Sequence, residues 1–306
     1  MRTLVLGAGA TGGWLGATLL AAGRDVTFLV RPRTATRLRD EGLRVRDAGG
    51  TTHTHRVSAL TADELRTAHD LVVVAVRGAD LDRALTDLGP AVGPATQVVP
   101  LLNGVAHLDV LVEAFGRDAV LGATVRLAAT LLPDGTLLEL TPGIALELGR
   151  PGPGPAGSDR MLEEVHEELA VGGVSVTVTT DIEQALWTKW TFIAASAVLT
   201  SLAGGVVGEV ASARGGAELA RAVVAETAAI AAAEGRPGDG GRALLRTLTD
   251  PTSRFAPSLT RELWAGRPVE IEVLEDLAAR ARRHQLASPL LDASLVRLRL
   301  AGRAAT

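Results

Sequence analysis

The chain has 306 residues, with 31 lysine-plus-arginine and 35 aspartate-plus-glutamate residues and a formal net charge of −4 at pH 7. That length suits two compact domains, each with its own core. No basic block stands out, which speaks against a nucleic-acid partner, and there is no cysteine, which excludes disulfides, thiolate metal sites and cysteine nucleophiles.

Residues 1–6 run directly into a glycine cluster without the sectors of a signal peptide. No apolar run approaches the roughly 18 residues of a membrane span, so a soluble cytoplasmic protein without a membrane partner is expected. Residues 2–6, 25–30, 70–76 and 97–102 are short, β-branched, apolar runs separated by amphipathic stretches. That alternation predicts βαβ units and a parallel sheet. Extended segments follow at 120–125, 136–140 and 144–148, residues 151–157 form a Pro/Gly loop, Ser158 caps a helix reaching about residue 170, and 174–179 is a last strand. From residue 181 the pattern is helical, over 183–202, 217–234, 258–266 and 273–284. The predicted fold is therefore α/β, an N-terminal Rossmann-type doubly wound parallel sheet over 1–180 followed by an all-helical domain over 181–306. His53 and His55 lie together in an extended polar segment with no nearby carboxylate in the sequence, and no metal site is expected.

The first strand is followed by Gly7-Ala8-Gly9-Ala10-Thr11-Gly12, which opens a helix over residues 11–22. In that context each glycine has its own role, with Gly7 making the tight turn, Gly9 allowing close approach of the backbone to a pyrophosphate, and Gly12 letting the helix pack on the strand. The exposed N–H groups at the helix start can then bind phosphate. The second strand ends in Val30-Arg31-Pro32-Arg33, where an NAD enzyme places an acid on the ribose 2′-hydroxyl. A guanidinium binds a 2′-phosphate with paired hydrogen bonds, so the expected cofactor is NADP(H). Later strands end in Val76-Arg77-Gly78-Ala79 and Leu102-Asn103-Gly104-Val105. In a doubly wound sheet these carboxyl ends face the same crevice as the glycine loop. Asn103, the chain's only asparagine, either contacts cofactor or substrate there or serves an Asn-Gly turn.

Of all the basic residues one, Lys189, is a lysine. It lies in a helical stretch beside Trp187, Trp190 and Phe192, in a chain with only four tryptophans, four phenylalanines and no tyrosine. An amine at the rim of an apolar surface is partly desolvated, which suits it to give a proton to the oxyanion that hydride delivery to a ketone leaves. The alternative is a lysine whose stem covers the apolar face of its helix. Ile193, Ser196 and Thr200 follow on the same face at helical spacing, and the two hydroxyls can serve a substrate. Ser258 either caps a helix or touches substrate, and Glu270 and Glu272 either favour a helix start or orient Lys189 and a ribose hydroxyl.

Taken in order, Gly7-x-Gly9-x-x-Gly12, Arg31, Asn103-Gly104, Trp187-x-Lys189, Ser258 and Gly266-Arg267-Pro268-x-Glu270 resemble the ketopantoate reductase family over nearly the whole chain. The resemblance implies an NADPH-binding domain and a helical domain that closes over a 2-oxo acid. It also implies Lys189 as general acid, Asn103 beside nicotinamide and substrate, Arg31 on the 2′-phosphate, Glu270 positioning ribose or lysine, and Ser258 on the substrate. Arg77 stands where the family usually has a lysine near the cofactor, and Ala128 matches a position whose backbone meets it. The resemblance further implies an NADPH-dependent reductase converting ketopantoate to pantoate, and domains of this kind often pair as homodimers. Ile193, Ala197, Val207 and Phe255 stand where the family carries polar groups, and a pocket without them desolvates a carboxylate and a hydroxyl unpartnered. A reductase of a bulkier, apolar ketone or imine is the enzymatic alternative, and a non-catalytic NADPH-binding sensor the other.

Overall fold

The structure, a computed structural model, describes residues 1–152, 159–267 and 269–304. It divides into two compact units, Met1–Leu186 and Trp187–Thr306. The division falls inside a helix rather than at residue 180, because Ile182 and Leu186 of that helix are buried in a hydrophobic cluster of the first unit. The predicted cap Ser158 and most of the Pro/Gly loop lie outside the described residues; Asp159 caps the following helix, its side chain accepting from the Leu162 N–H.

The first unit contains β1 (Arg2–Leu6), α1 (Ala10–Ala21), β2 (Asp25–Leu29), α2 (Pro32–Glu41), β3 (Leu43–Arg46), β4 (Thr52–His55), β5 (Ser58–Leu60), β6 (Leu71–Val74), α3 (Leu81–Leu88), β7 (Gln97–Pro100), α4 (Ala106–Phe115), β8 (Gly122–Arg126), β9 (Ala129–Leu131), β10 (Leu137–Glu139), β11 (Ile144–Gly149), α5 (Arg160–Leu169) and β12 (Val174–Val178). Its central sheet is parallel, in the order β5-β2-β1-β6-β7. Alternation along the strands puts apolar residues on both faces. Val5, Phe28, Val73 and Val99 join one cluster with Trp14, Leu15 and Leu19 of α1. Leu4, Leu29, Val72, Val74 and Val98 join another with Leu81 and Leu88 of α3 and Leu108 and Leu111 of α4. Helices thus cover both faces, the doubly wound arrangement expected from the alternating pattern.

Two smaller sheets, β4-β3-β10-β9 and β12-β11-β8, complete the unit. The strands that the apolar-run pattern does not reveal are β3, β4, β5 and β9. Each has only three or four residues, and β4 reads Thr-His-Thr-His with its first three positions exposed.

The second unit is helical among its described residues. Helix α6 (Ile182–Ala203) supplies its first helical segment, followed by α7 (Val207–Ser212), α8 (Gly216–Ala233), α9 (Arg242–Leu248), α10 (Ser258–Trp264), α11 (Glu272–Arg283) and α12 (Pro289–Ala304). Helix α8 packs against α7, α9, α11 and α12. Buried hydroxyl pairs fasten α6 to its neighbours: Thr200 Oγ1 lies 2.7 Å from Thr260 Oγ1 in α10, and Ser201 Oγ lies 2.8 Å from Ser294 Oγ in α12. Among the described residues no helix is long and apolar enough to cross a membrane.

Candidate active site

The turn after β1 is fixed by steric need. Gly7 has φ +97°, where a side chain is strained, and a Cβ there would meet the Ala75 carbonyl oxygen at 2.8 Å. A Cβ on Gly12 would meet the Gly7 carbonyl oxygen at 2.3 Å and the Ala75 side chain at 2.7 Å, so α1 rests directly on the turn and on the chain leaving β6. At Gly9 the opposite holds: a Cβ would meet nothing within 4 Å. Gly9 is the N-cap of α1, with no side-chain cap and no acidic residue in the first turn. Ala10 and Thr11 begin the helix partly exposed, while Ala8 is buried against the core. This helix N-terminus therefore offers open N–H donors and positive dipole to an anion, with space above Gly9 for a pyrophosphate. These residues fit a dinucleotide.

The neighbours of β1 in the sheet are β2 and β6, and both carry arginine past their carboxyl ends. Arg31 is the N-cap of α2, and its Nη2 donates to Asp80 Oδ1 at 2.7 Å. Arg77 Nε lies 3.7 Å from Asp80 Oδ2. The guanidiniums are 63% and 65% exposed and Asp80 is 32% exposed, so two solvent-facing cations share one carboxylate. Sequence reading singled out both arginines and missed Asp80, although an acid three residues after Arg77 was its visible signal. After β7, Asn103 is partly buried in a bend that Gly104 turns at φ +79°. Ala128, between β8 and β9, uses its carbonyl to accept the Leu140 N–H at 2.7 Å.

In the second unit Lys189 is partly buried on α6, and Trp187 and Trp190, which flank it in the sequence, are buried. The rings of Trp187 and Trp190 lie 4.6 Å apart, and the Arg280 guanidinium stands over both, 5.4 and 5.3 Å from their centroids. Such cation–π contacts hold a guanidinium and an indole face together. Arg280 is itself anchored to Glu234, at 2.5 Å, and to Asp276, at 3.1 Å. Burial would push the Glu234 carboxyl up, but hydrogen bonds from His284 and Arg280 and the nearby Arg283 charge outweigh it and hold the group below its ordinary range. Trp190 Nε1 also donates to the Val273 carbonyl at 3.0 Å. That bond ties the helix carrying Lys189 to the first turn of α11, three residues after Glu270.

Several predicted substrate contacts are placed differently. Ser196 is fully buried, and its Oγ donates to the Phe192 carbonyl at 2.6 Å; Thr200 likewise donates to Ser196 and pairs with Thr260. Their hydroxyls are taken up inside the helix layer, so neither faces a substrate. Ser258 does not cap α10: Pro257 is the N-cap, and Ser258 is an exposed first helical residue. Glu270 precedes α11, whose first turn contains Glu272 and Glu275, so the helix-start role falls to those residues. Pro268 lies outside the described residues. Ile193 is partly buried, Ala197 and Val207 are fully buried, and the Phe255 ring lies 5.3 Å from that of Phe192. The histidine pair does have a neighbouring carboxylate, since His53 Nε2 is 3.1 Å from Asp47 Oδ2. Among the described residues no three metal-ligating groups converge.

Two family models match the chain, the ketopantoate reductase PanE/ApbA model over residues 3–150 and its C-terminal counterpart over residues 181–300. A 2-dehydropantoate 2-reductase of Halobacterium salinarum is 30% identical across 97% of this chain and 98% of its own. Among solved structures, 2-dehydropantoate 2-reductase of Geobacter metallireducens superposes with a TM-score of 0.85 at 27% identity, covering 98% of this chain and 100% of that one. D-mandelate dehydrogenase with NADH and anilino(oxo)acetate superposes with a TM-score of 0.89 at 18% identity, over 100% and 99% of the two chains.

Proposed function

The chain belongs to the ketopantoate reductase family, an oxidoreductase of a ketone and alcohol pair with a nicotinamide cofactor, and on that premise we propose that it reduces a 2-oxo acid with NADPH, Lys189 giving the proton. The observation that carries this reading is the chain's one lysine, partly buried on α6 next in sequence to the buried Trp190, in a fold whose other unit carries an uncapped glycine turn. A pure binding protein has no need of a titratable amine in that setting, and the sensor alternative explains it less well.

NADPH, once bound, would supply hydride to the carbonyl carbon. The first-turn N–H groups after Gly9 would hold its pyrophosphate, and Arg31 with Arg77 would face its 2′-phosphate. Asn103, at the end of β7, offers its amide to the carboxamide or the substrate. Lys189 stabilises negative charge on the substrate oxygen and then protonates it. Glu270 positions that lysine or a ribose hydroxyl, helped by the Trp190 to Val273 bond beside it.

Ketopantoate is the default substrate. One observation favours a second reading within the same chemistry: Phe255 packs against Phe192, and Ile193 follows Lys189 by one helical turn, an apolar surface suited to a larger aliphatic or aryl 2-oxo acid. Following NADPH oxidation with ketopantoate, larger 2-oxo acids, apolar ketones and imines tests both. Turnover of ketopantoate with the highest kcat/KM supports the default, and a preference for the larger acids supports the second reading. Absence of oxidation with every 2-oxo acid overturns the proposal.

A further inference from the structure

Two arginines that face solvent past the ends of β2 and β6 are expected to attract an anion, yet the chain supplies one of its own. Asp80 lies at the N-terminal end of α3 and accepts from Arg31 at 2.7 Å, with Arg77 at 3.7 Å. Strands β2 and β6 are separated by β1, about 10 Å in total at ordinary strand spacing. The Arg31–Asp80 pair therefore arches over the end of β1, where the glycine turn begins.

We propose that Asp80 sets the cofactor selectivity of this chain: its carboxylate sits in the anion seat formed by Arg31 and Arg77 and holds back the 2′-phosphate, so that NADH is also accepted. The inference rests on the reading of these arginines as the ribose-phosphate contacts. With Asp80 in place the cluster has one net positive charge, while a 2′-phosphate brings nearly two negative ones. A phosphate must break the Arg31 pair and then stand beside a fixed like charge. The neutral 2′-hydroxyl of NADH does neither, and it can donate to the same carboxylate.

The opposite role, in which Asp80 arranges the arginines for phosphate, has little to act on. Arg77 lies beyond hydrogen-bonding distance of Asp80, both guanidiniums remain mostly exposed, and Arg31 is drawn toward the carboxylate rather than left open.

The test measures equilibrium dissociation constants of NADPH and NADH for the full chain by quenching of tryptophan fluorescence, without substrate. Wild type, Asp80→Asn, Asp80→Ala and Arg31→Ala are compared, with thermal melts confirming that each is folded. Removing one like charge beside the phosphate should tighten NADPH roughly tenfold in both Asp80 variants and change NADH less than about twofold. NADPH affinity that is unchanged or weaker in the Asp80 variants overturns the inference. Arg31→Ala separates the two levels: if it weakens NADPH more than NADH while the Asp80 variants show no gain, only the role of Asp80 fails. If Arg31→Ala weakens both cofactors equally, or wild type binds neither, the underlying reading fails and the inference with it.

Discussion

The indole Nε1 of Trp190 donates to the main-chain carbonyl of Val273 at 3.0 Å, joining the residue next to Lys189 to a position three residues after Glu270. Both partners are buried, and because Val273 is the second residue of α11 its carbonyl keeps the helical bond from the amide four residues on, so loss of the indole donor removes one buried hydrogen bond without stranding the acceptor. Trp190→Phe keeps a ring against Trp187 and Arg280 but removes the donor. We expect it to lower the unfolding free energy by about 0.5–1.5 kcal/mol, read from the shift in urea midpoint. kcat should fall while the NADPH dissociation constant stays within about twofold, because the cofactor cradle lies in the other unit.

Lys189→Ala should reduce turnover by at least about a hundredfold, the scale of a lost general acid, with NADPH binding nearly intact. Lys189→Arg should not rescue it. Arginine keeps the positive charge and so tests charge against proton donation, since a guanidinium does not deprotonate in a protein. Steady-state rates with NADPH titrations on the same preparations check both. A Lys189→Ala enzyme turning over at the parental rate would remove the lysine from the mechanism.

The glycines of the turn separate architecture from ligand. Gly12→Ala forces a Cβ to within 2.3 Å of the Gly7 carbonyl oxygen and 2.7 Å of the Ala75 side chain, and the helix must shift off the strand. Overpacking of this kind costs about 1–3 kcal/mol and should appear in thermal melts of the cofactor-free protein. Gly9→Ala meets no protein atom within 4 Å, so the melting temperature should stay within about a degree while NADPH affinity falls at least about tenfold. Equal NADPH affinity for Gly9→Ala and wild type would place the pyrophosphate elsewhere.

How much of this was legible in the sequence depended on how far each feature was local. The buried strands β1, β2, β6 and β7 announced themselves because both faces are covered, which makes them continuous apolar runs. Strand β4 did not, since an edge of Thr and His carries no apolar pattern, and β3, Leu43-Arg44-Val45-Arg46, alternates apolar and charged residues over only four positions, too short a run to stand out. Helices α7 and α9 have six and seven residues, too few turns for a period to show. Helix α12 was not among the predicted helices, although Leu291, Leu295 and Leu298 recur there at helical spacing. The glycine turn and the lone lysine could be read as positions, but the partners of a side chain could not. Asp80 reaches Arg31 across 49 positions, and Ser196 spends its hydroxyl on its own helix, a choice that spacing alone does not reveal.

Acid sensitivity should show at the junction of α2 and β5. Arg39 donates to Glu64 and to the Ala59 carbonyl, and the Glu64 carboxylate also accepts the Thr61 N–H at 2.9 Å and the Thr61 hydroxyl at 3.0 Å. The Arg39 hydrogen bond, then those from Thr61, lower the Glu64 pKa from 4.5 to about 2. A carboxyl depressed in the folded state stabilises the protein above its unfolded pKa and ceases to do so as pH falls through its folded value. The contribution is thus fully present above pH 4.5, declines below it and is gone near pH 2. Glu64→Gln should lower the urea midpoint at pH 7, and the gap to wild type should narrow as pH falls from 4.5. Because the pair is exposed to solvent, added salt should shrink the gap at neutral pH as well. A gap that is constant from pH 7 to pH 3 would assign the effect to packing of the side chain and not to its charge.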